Sequence, residues 1–349
     1  MSNAQPLIRF KDLPYDELHA RLAAAGISAA QARRLQVSVI RRSMLPDPVP
    51  GGLSGRALEQ VRRLTAIPNL QLFQKRVSEQ DGFAAYVFRG EGPDLFEAVR
   101  IPLLHRAEDK KYIVCVSSQV GCRLGCAFCV TGRLGFRRNL ATWEMVDQVL
   151  KIRNDSEHPV RGVVFMGMGE PLLNYDAVIR ACRILSEPCG LAISGKAITI
   201  STAGIAPAIR RFAAEGHRYR LIVSLASADP AQRRALMPVE AEHPLSDVMA
   251  ALRMYHEASS QRVTLAWPML AGVNTREEDA RQLARLTAGL PVRLDLMDVN
   301  DPAGRFQPPS EVERNAFRDA LRKHLAMPVA RRYSGGRDIH AACGMLAGR

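Results

Sequence analysis

From Lys111 onward the chain repeats one pattern, a short apolar run rich in β-branched residues followed by a longer stretch with helical periodicity. The runs are YIVCVSS, GVVFMGM, AITIST, RLIVSLA, RVTLAWPML and VRLDLMDV. Between them lie TWEMVDQVLKI, YDAVIRACRIL, PAIRRFAAEG, LSDVMAALRMYHEA and REEDARQLARLT. Strands that alternate with helices run parallel through crossovers, so the fold class is α/β, as an open sheet or a partial or full barrel. Chemistry in such folds gathers at the carboxyl ends of the strands. Attention therefore falls on Cys122 to Cys129, Gly167 to Pro171 and Ser201 to Gly204, the turns after the first three runs.

The chain before residue 96 reads differently. Helical patterns cover Tyr15 to Ala25 and Ala30 to Ser43, and the breaker-rich stretch Pro46-Asp47-Pro48-Val49-Pro50-Gly51-Gly52 follows. Phe83 to Arg89 and Ala98 to Ile101 have strand composition and suggest a hairpin leading into the main body. No apolar run reaches the length of a membrane helix, and the opening MSNAQPLIRFKDLPYDELHA lacks the apolar core of a signal peptide. The expectation is a cytoplasmic protein with no membrane partner. Its formal charge of +13 attracts polyanions.

Seven cysteines in a chain expected in the cytosol argue against a disulfide framework. Cys122, Cys126 and Cys129 stand at C-x3-C-x2-C spacing in one glycine-containing loop, with no fourth ligand at suitable spacing. A cubane held by three thiolates keeps one iron open, as catalytic metal sites do. The competing reading is a structural zinc site, which favours paired C-x2-C units that this chain lacks.

The same loop after the first strand of a β/α series is the signature of radical S-adenosylmethionine (SAM) enzymes. CVSSQVGCRLGCAFCVTGRLGFRRNL, GMGEPLLNYDAV, ITISTAGIAP and DIHAACGML further resemble the RNA adenine methyltransferases of the RlmN/Cfr type, from about Glu97 to the C-terminus. The resemblance implies a partial (β/α)6 TIM-like barrel over residues 96–336, an N-terminal accessory region over 1–95 that helps hold RNA, and a tail over 337–349. It implies one [4Fe-4S] cluster on Cys122, Cys126 and Cys129. SAM would be contacted by Gly169, Glu170, Ser201, Ser224, Leu225, Ala226 and Asn300. It also implies rRNA or tRNA as substrate and an electron donor such as flavodoxin.

Adenine carbon 2 or carbon 8 is electron-poor and does not attack a methyl sulfonium. In the family a 5'-deoxyadenosyl radical therefore takes hydrogen from a methylated tail cysteine, and the resulting carbon radical adds to the base. Cys343 matches that methyl carrier, Cys115 the resolving thiol that forms a transient disulfide with it, and Glu97 the proton acceptor. Read alone, Cys115 in an apolar strand is ordinary packing and Glu97 ordinary solvated surface. Cys189 matches no role, and Cys182 shares a helical face with Val178 and Leu185 and reads as core.

Arg123, Arg133, Arg137, Arg138, Arg331, Arg332 and Arg337 are candidates for phosphate contacts. The chain departs from the pattern that the resemblance implies: SLHA is common where it reads Ser224-Leu225-Ala226-Ser227, an acidic residue where it has Ala266, Asp and Gln where it has His340 and Met345, and IPxNP where it has MDVNDP around Asn300; these bear on substrate specificity more than on the radical chemistry. Two other functions compete. A radical-SAM enzyme with a non-RNA substrate needs neither RNA binding nor Cys115, and a non-catalytic metal protein that binds RNA never cleaves SAM.

Overall fold

The computed structural model describes residues 7–46, 53–103 and 110–348; Asp47 to Gly52 of the breaker-rich stretch lie outside the described residues. Its centre is a ten-stranded sheet. In chain order the strands are β1 (Gln71–Val77), β2 (Ala84–Arg89), β3 (Leu95–Leu103), β4 (Lys111–Cys115), β5 (Val160–Phe165), β6 (Ile198–Thr202), β7 (Arg220–Ser224), β8 (Val263–Met269), β9 (Val292–Asp298) and β10 (Val329–Arg332). Each strand pairs with its sequence neighbours. The first three joins are antiparallel, and every join from β4 to β10 is parallel.

Helices lie in the parallel crossovers and on the N-terminal side. The longer ones are α1 (Tyr15–Ala23), α2 (Ala29–Arg42), α3 (Gly55–Leu64), α4 (Thr142–Asn154), α5 (Tyr175–Ser186), α6 (Ala206–Ala214), α7 (Leu245–Ser259), α8 (Glu277–Leu286) and α9 (Glu311–His324), and short helices span Val130–Arg133 and Pro230–Leu236. The six apolar runs all form strands and the five helical stretches all form helices. Because β1 and β10 remain as edges, the sheet is a partial barrel and does not close. Strands β1 and β10 and helices α3 and α9 were not among the expected elements. Among the described residues no helix is long and apolar enough to cross a membrane.

Two apolar cores form. The larger fills the barrel and packs the crossover helices. The smaller gathers Phe10, Leu18, Leu35, Val39 and Val61 among others, while β1 and β2 belong to the main sheet. A capping box at Ser28 and Gln31 starts α2, and the Ser54 side chain caps α3. The helical part is fastened to α4 by a buried ion pair. The Lys11 amine, fully enclosed, donates to Asp147 Oδ1 at 2.6 Å, Asn69 Oδ1 at 2.8 Å, the Pro68 carbonyl at 3.1 Å and Ser43 Oγ at 3.2 Å. Asp147 Oδ2 accepts from the Leu70 amide at 2.7 Å. Asp12 accepts from the Trp143 amide in the first turn of α4, where a carboxylate also meets the positive end of the helix dipole.

Removing one member of such a pair leaves the other charge buried and alone. Lys11→Met should therefore lower unfolding free energy by about 3–5 kcal/mol in urea denaturation. An unchanged midpoint would show that the docking does not depend on this pair.

Candidate active site

A cavity opens at the carboxyl ends of β5–β9, lined by Cys122, Cys126, Cys129, Gly169, Glu170, Ser201, Ser224, Asn300 and Cys343 among others. The cysteine loop is pinned at its base by a short antiparallel ribbon that pairs Gln119 with Asn139 and Val120 with Arg138. Gly121 has φ +71°, and a Cβ there would lie 1.8 Å from the Gly135 carbonyl oxygen, so only glycine fits. The Cys122 amide donates to that same oxygen at 3.0 Å, and the Ala127 amide donates to the Leu236 carbonyl at 2.9 Å. All three residues are partly exposed, although burial raises the thiols of Cys122 and Cys126.

The turn after β5 meets this loop closely. A Cβ on Gly169, φ +96°, would sit 2.4 Å from Gln119 Cβ. Glu170 is buried, its amide donating to Gln119 Oε1 at 2.9 Å, while its carboxylate accepts from the amides of Leu172 at 3.0 Å and Ala203 at 2.8 Å. Burial pushes its carboxyl up to about 7, outweighing the amide donors that favour the anion. Asn300 Nδ2 donates to Ser334 Oγ at 2.7 Å and to the Cys343 carbonyl at 3.3 Å. Leu225 and Ala226 are fully buried behind the wall. Of that stretch only the Ser224 side chain reaches the cavity.

The tail is held on both sides of Cys343. The Val130 amide donates to the Gly344 carbonyl at 2.8 Å, and Thr131 Oγ1 donates to the Leu346 carbonyl at 2.7 Å. Upstream, Gly336 and Tyr333 both donate to Asp81 Oδ2, at 2.8 and 3.0 Å. Cys343 is surrounded by protein and yet accessible, because what it faces is the cavity and not packed core. Burial raises its thiol, with the Arg332 cation working in the opposite direction. Cys115, at the end of β4, is buried and does not line the cavity. Burial raises its thiol well above the ordinary range, and Cys343 is near enough that its charge pushes in the same direction.

Two expectations about surface residues change. Glu97 is not solvated. It is 1% exposed in β3, its carboxylate accepting from Gly348 and Ala347 amides at 2.9 and 3.3 Å and from Arg76 at 3.2 Å. Most of the rim arginines are already paired within the chain: Arg133 with Asp301, Arg137 with Asp94, Arg138 with Glu144, Arg331 and Arg337 with Asp298, and Arg332 with Asp295. Arg123 is exposed and has no ion pair among the described residues. Sequence reasoning missed Arg233, which is enclosed beside Cys126, paired with Glu240 and bonded to the Ala203 carbonyl at 2.6 Å. No local pattern marks it; a helical arginine ordinarily reads as solvated.

Three cysteines on the loop after the first parallel strand, facing a strand-end cavity in a partial barrel, define a radical SAM enzyme. The radical SAM superfamily model matches residues 116–284. A probable RNA methyltransferase of Myxococcus xanthus (strain DK1622) is 46% identical over 345 residues, spanning 97% of this chain and 94% of that protein. The dual-specificity RNA methyltransferase RlmN of Syntrophobacter fumaroxidans is 39% identical over 339 residues, spanning 96% and 97%. The crystal structure of a radical SAM methyltransferase from Sphaerobacter thermophilus superposes with a TM-score of 0.88 at 33% identity, covering 99% of this chain and all of that one. The chain belongs to the RlmN-type RNA methyltransferases of the radical SAM superfamily, SAM-dependent enzymes whose chemistry uses an iron-sulfur cluster.

The residues fit that cofactor pair. Cys122, Cys126 and Cys129 line one cavity, and the Cys126 thiol is near enough to the other two to feel their charge, which suits a cubane that takes each thiolate on a different iron. Glu170, Ser201 and Asn300 give the same cavity polar groups that suit an amino-acid ligand.

Replacing any of Cys122, Cys126 or Cys129 by Ala should prevent stable cluster incorporation, read as bound iron and sulfide after reconstitution. Full iron loading in a variant would remove that cysteine from the ligand set. Glu170 also makes a pH prediction. Its folded carboxyl binds a proton more tightly than the ordinary value of 4.5 allows, so its charge opposes folding above about pH 7, and that opposition fades as pH falls towards 4.5. Cluster-free wild type should gain roughly 3 kcal/mol from this group over that window, a component that Glu170→Gln should lack in chemical denaturation.

Proposed function

We propose that this enzyme places a methyl group on a ring carbon of adenine, carbon 2 or carbon 8, in ribosomal or transfer RNA, with Cys343 as methyl carrier and Cys115 as the releasing thiol. The observation that carries this reading is a convergence. A tail cysteine lines the same cavity as the three loop cysteines, and a second thiol, at the end of β4, is near enough to feel its charge. A radical SAM enzyme that does not use a protein-bound methyl group has no need of either.

Cys122, Cys126 and Cys129 would hold the cluster, which when bound supplies the electron that cleaves SAM. Gly169, Glu170, Ser201, the Ser224–Leu225–Ala226 segment and Asn300 form the surrounding SAM site, Leu225 and Ala226 by shaping the wall from behind. An external reductant such as flavodoxin serves as electron donor.

The remaining chemistry belongs to the two thiols and Glu97. The Cys343 sulfur carries the methyl group as a thioether and, after carbon–carbon bond formation, ties the base to the protein through a methylene. Radical addition leaves an unpaired electron on the base, so the ring proton at that carbon must leave together with one electron; Glu97 is the carboxylate we assign to accept the proton, and the oxidised cluster, when bound, would take back the electron. Because Glu97 is bonded to the amides of residues 347 and 348, its use as a base requires that tail end to shift.

The Cys115 thiolate then attacks the Cys343 sulfur. A sulfur–sulfur bond forms, the carbon–sulfur bond breaks, and its electron pair goes to the methylene carbon, which takes a proton and becomes the methyl group. Two thiols have been oxidised to a disulfide, which must be reduced before the next turnover. A cycle therefore begins with both thiols reduced. Burial keeps both thiols protonated at neutral pH, so deprotonation of Cys115 is an obligatory step, not a resting condition.

The test is anaerobic incubation of cluster-reconstituted protein with reductant, SAM labelled in its methyl group, and rRNA or tRNA. Wild type should label adenine. Cys343→Ala should leave RNA unlabelled, and Cys115→Ala should accumulate RNA bound to protein through denaturing electrophoresis. Labelling by Cys343→Ala at the wild-type level would rule out the carrier. SAM cleavage by wild type with no label in RNA would place the substrate in another class.

A further inference from the structure

At the opposite face of the barrel, where β6–β9 begin, lies a cavity of about 830 Å³, against about 180 Å³ for the cavity at the strand ends. Its wall carries Lys196, His217, Arg218, Arg220, Arg262 and Arg293, and no Asp or Glu. The fold aligns these cations. Lys196 precedes β6, Arg220 opens β7, Arg262 precedes β8, and Arg293 is the second residue of β9. In register, Arg220 lies opposite Thr199, and Arg293 opposite Thr264. Neighbouring strands are about 4.8 Å apart, so four consecutive strand ends spread the charges along roughly 15 Å.

Two members have carboxylate partners. His217 meets Glu215 at 2.6 Å, and Arg293 meets Asp295 at 2.8 Å. Lys196, Arg218, Arg220 and Arg262 are exposed and have none among the described residues. That contrasts with the rim of the active site, where acidic residues neutralise nearly every arginine proposed for phosphate contact. Four unpaired like charges in one groove repel one another and contribute nothing to folding, so a ligand is the simplest reason for placing them together. A row of charges also suits repeated phosphates better than a single small anion.

We propose that this groove is a second RNA contact, one that binds the phosphate backbone away from the site of chemistry. This rests on the reading of RNA as substrate. Strands of five to seven residues put the groove about 17–23 Å from the cavity, so an extended polyanion can reach both while a free nucleotide cannot. The contact would add affinity without reading sequence, as phosphate contacts do.

The test uses the full-length chain with Arg218, Arg220 and Arg262 all replaced by Ala. None of the three has an ion pair to lose, so thermal unfolding should match wild type. Binding of a fluorescently labelled tRNA transcript is measured across a series of KCl concentrations. The variant should bind at least tenfold more weakly at low salt, and the slope of log affinity against log salt should fall in magnitude by about 2–3, near the value for three lost phosphate contacts. Cleavage of SAM in the absence of RNA should not change.

An unchanged affinity and slope would overturn the proposal. So would loss of inorganic pyrophosphate binding with RNA binding intact, which would make the groove a small-anion site. If the transcript binds wild type through the groove but adenine is never labelled, the methylation reading fails and the groove stands. If labelling proceeds and the slope is unaltered, the groove fails alone.

Discussion

Glu170 ties the strand-end loops together. Its own amide is fixed by Gln119 at the base of the cysteine loop, its carboxylate spans the amides of Leu172 and Ala203, and so three segments from different strand ends share one residue. The arrangement depends on close backbone approach, since any side chain on Gly169 would collide with Gln119. A carboxyl buried this deeply is costly to ionise, and the amide bonds only partly offset that cost. The site is thus held in position by a group whose burial opposes folding at neutral pH. A stiff alignment of the cysteine loop with the wall that faces it comes at the expense of stability.

The tail is the second half of the assembly, and its fastening explains why the antiparallel strands exist. The β1–β2 connection supplies Asp81, which accepts from Tyr333 and Gly336. Strand β3 supplies Glu97, which accepts from residues 347 and 348. Between these anchors the chain passes the cysteine loop, where Val130 and Thr131 hold the Gly344 and Leu346 carbonyls. Cys343 therefore sits on a segment tethered at both ends with its own thiol accessible, which suits a group that must approach two different partners in turn.

Much of this was legible before the structure was known, for definite physical reasons. Parallel strands buried on both faces read as continuous β-branched runs, and amphipathic crossover helices repeat every turn, so β4–β9 and α4–α8 stand out. The cysteine loop is local in sequence and announces itself. Strand β1 is exposed along nearly its whole length, with Leu72, Phe73 and Val77 facing solvent, and so carries no inside–outside alternation to detect. Strand β10 has four residues, two of them arginines drawn to Asp295 and Asp298. Taken alone Glu97 reads as solvated because the amides that cover it lie at the far end of the chain, and most of the arginines read as free because Asp94, Asp295, Asp298 and Asp301 are distant in sequence, Glu144 beside Arg138 being the exception. Long-range pairing leaves no local trace.

The departures from the family pattern can be weighed by backbone geometry. His340 has φ +56°, and histidine and aspartate are both among the residues that tolerate the left-handed region, so this exchange keeps the turn and alters only an exposed side chain. Ala226 is different. Its φ is +57°, a conformation costing an alanine about 1–2 kcal/mol, at a position where family members commonly carry histidine. The surroundings hold it there, with its carbonyl taken by Asn274 Nδ2 at 2.7 Å and the preceding amide by the Ala266 carbonyl at 3.0 Å. Ala266, where an acidic residue is common, is itself on the cavity wall. Across the β7–β8 pairing Ala266 lies opposite Ser224, and both line the cavity, whereas Ala226 lies behind its wall. Of the two exchanges only the one at Ala266 therefore changes the surface of the cavity, and it makes that part of the wall less polar.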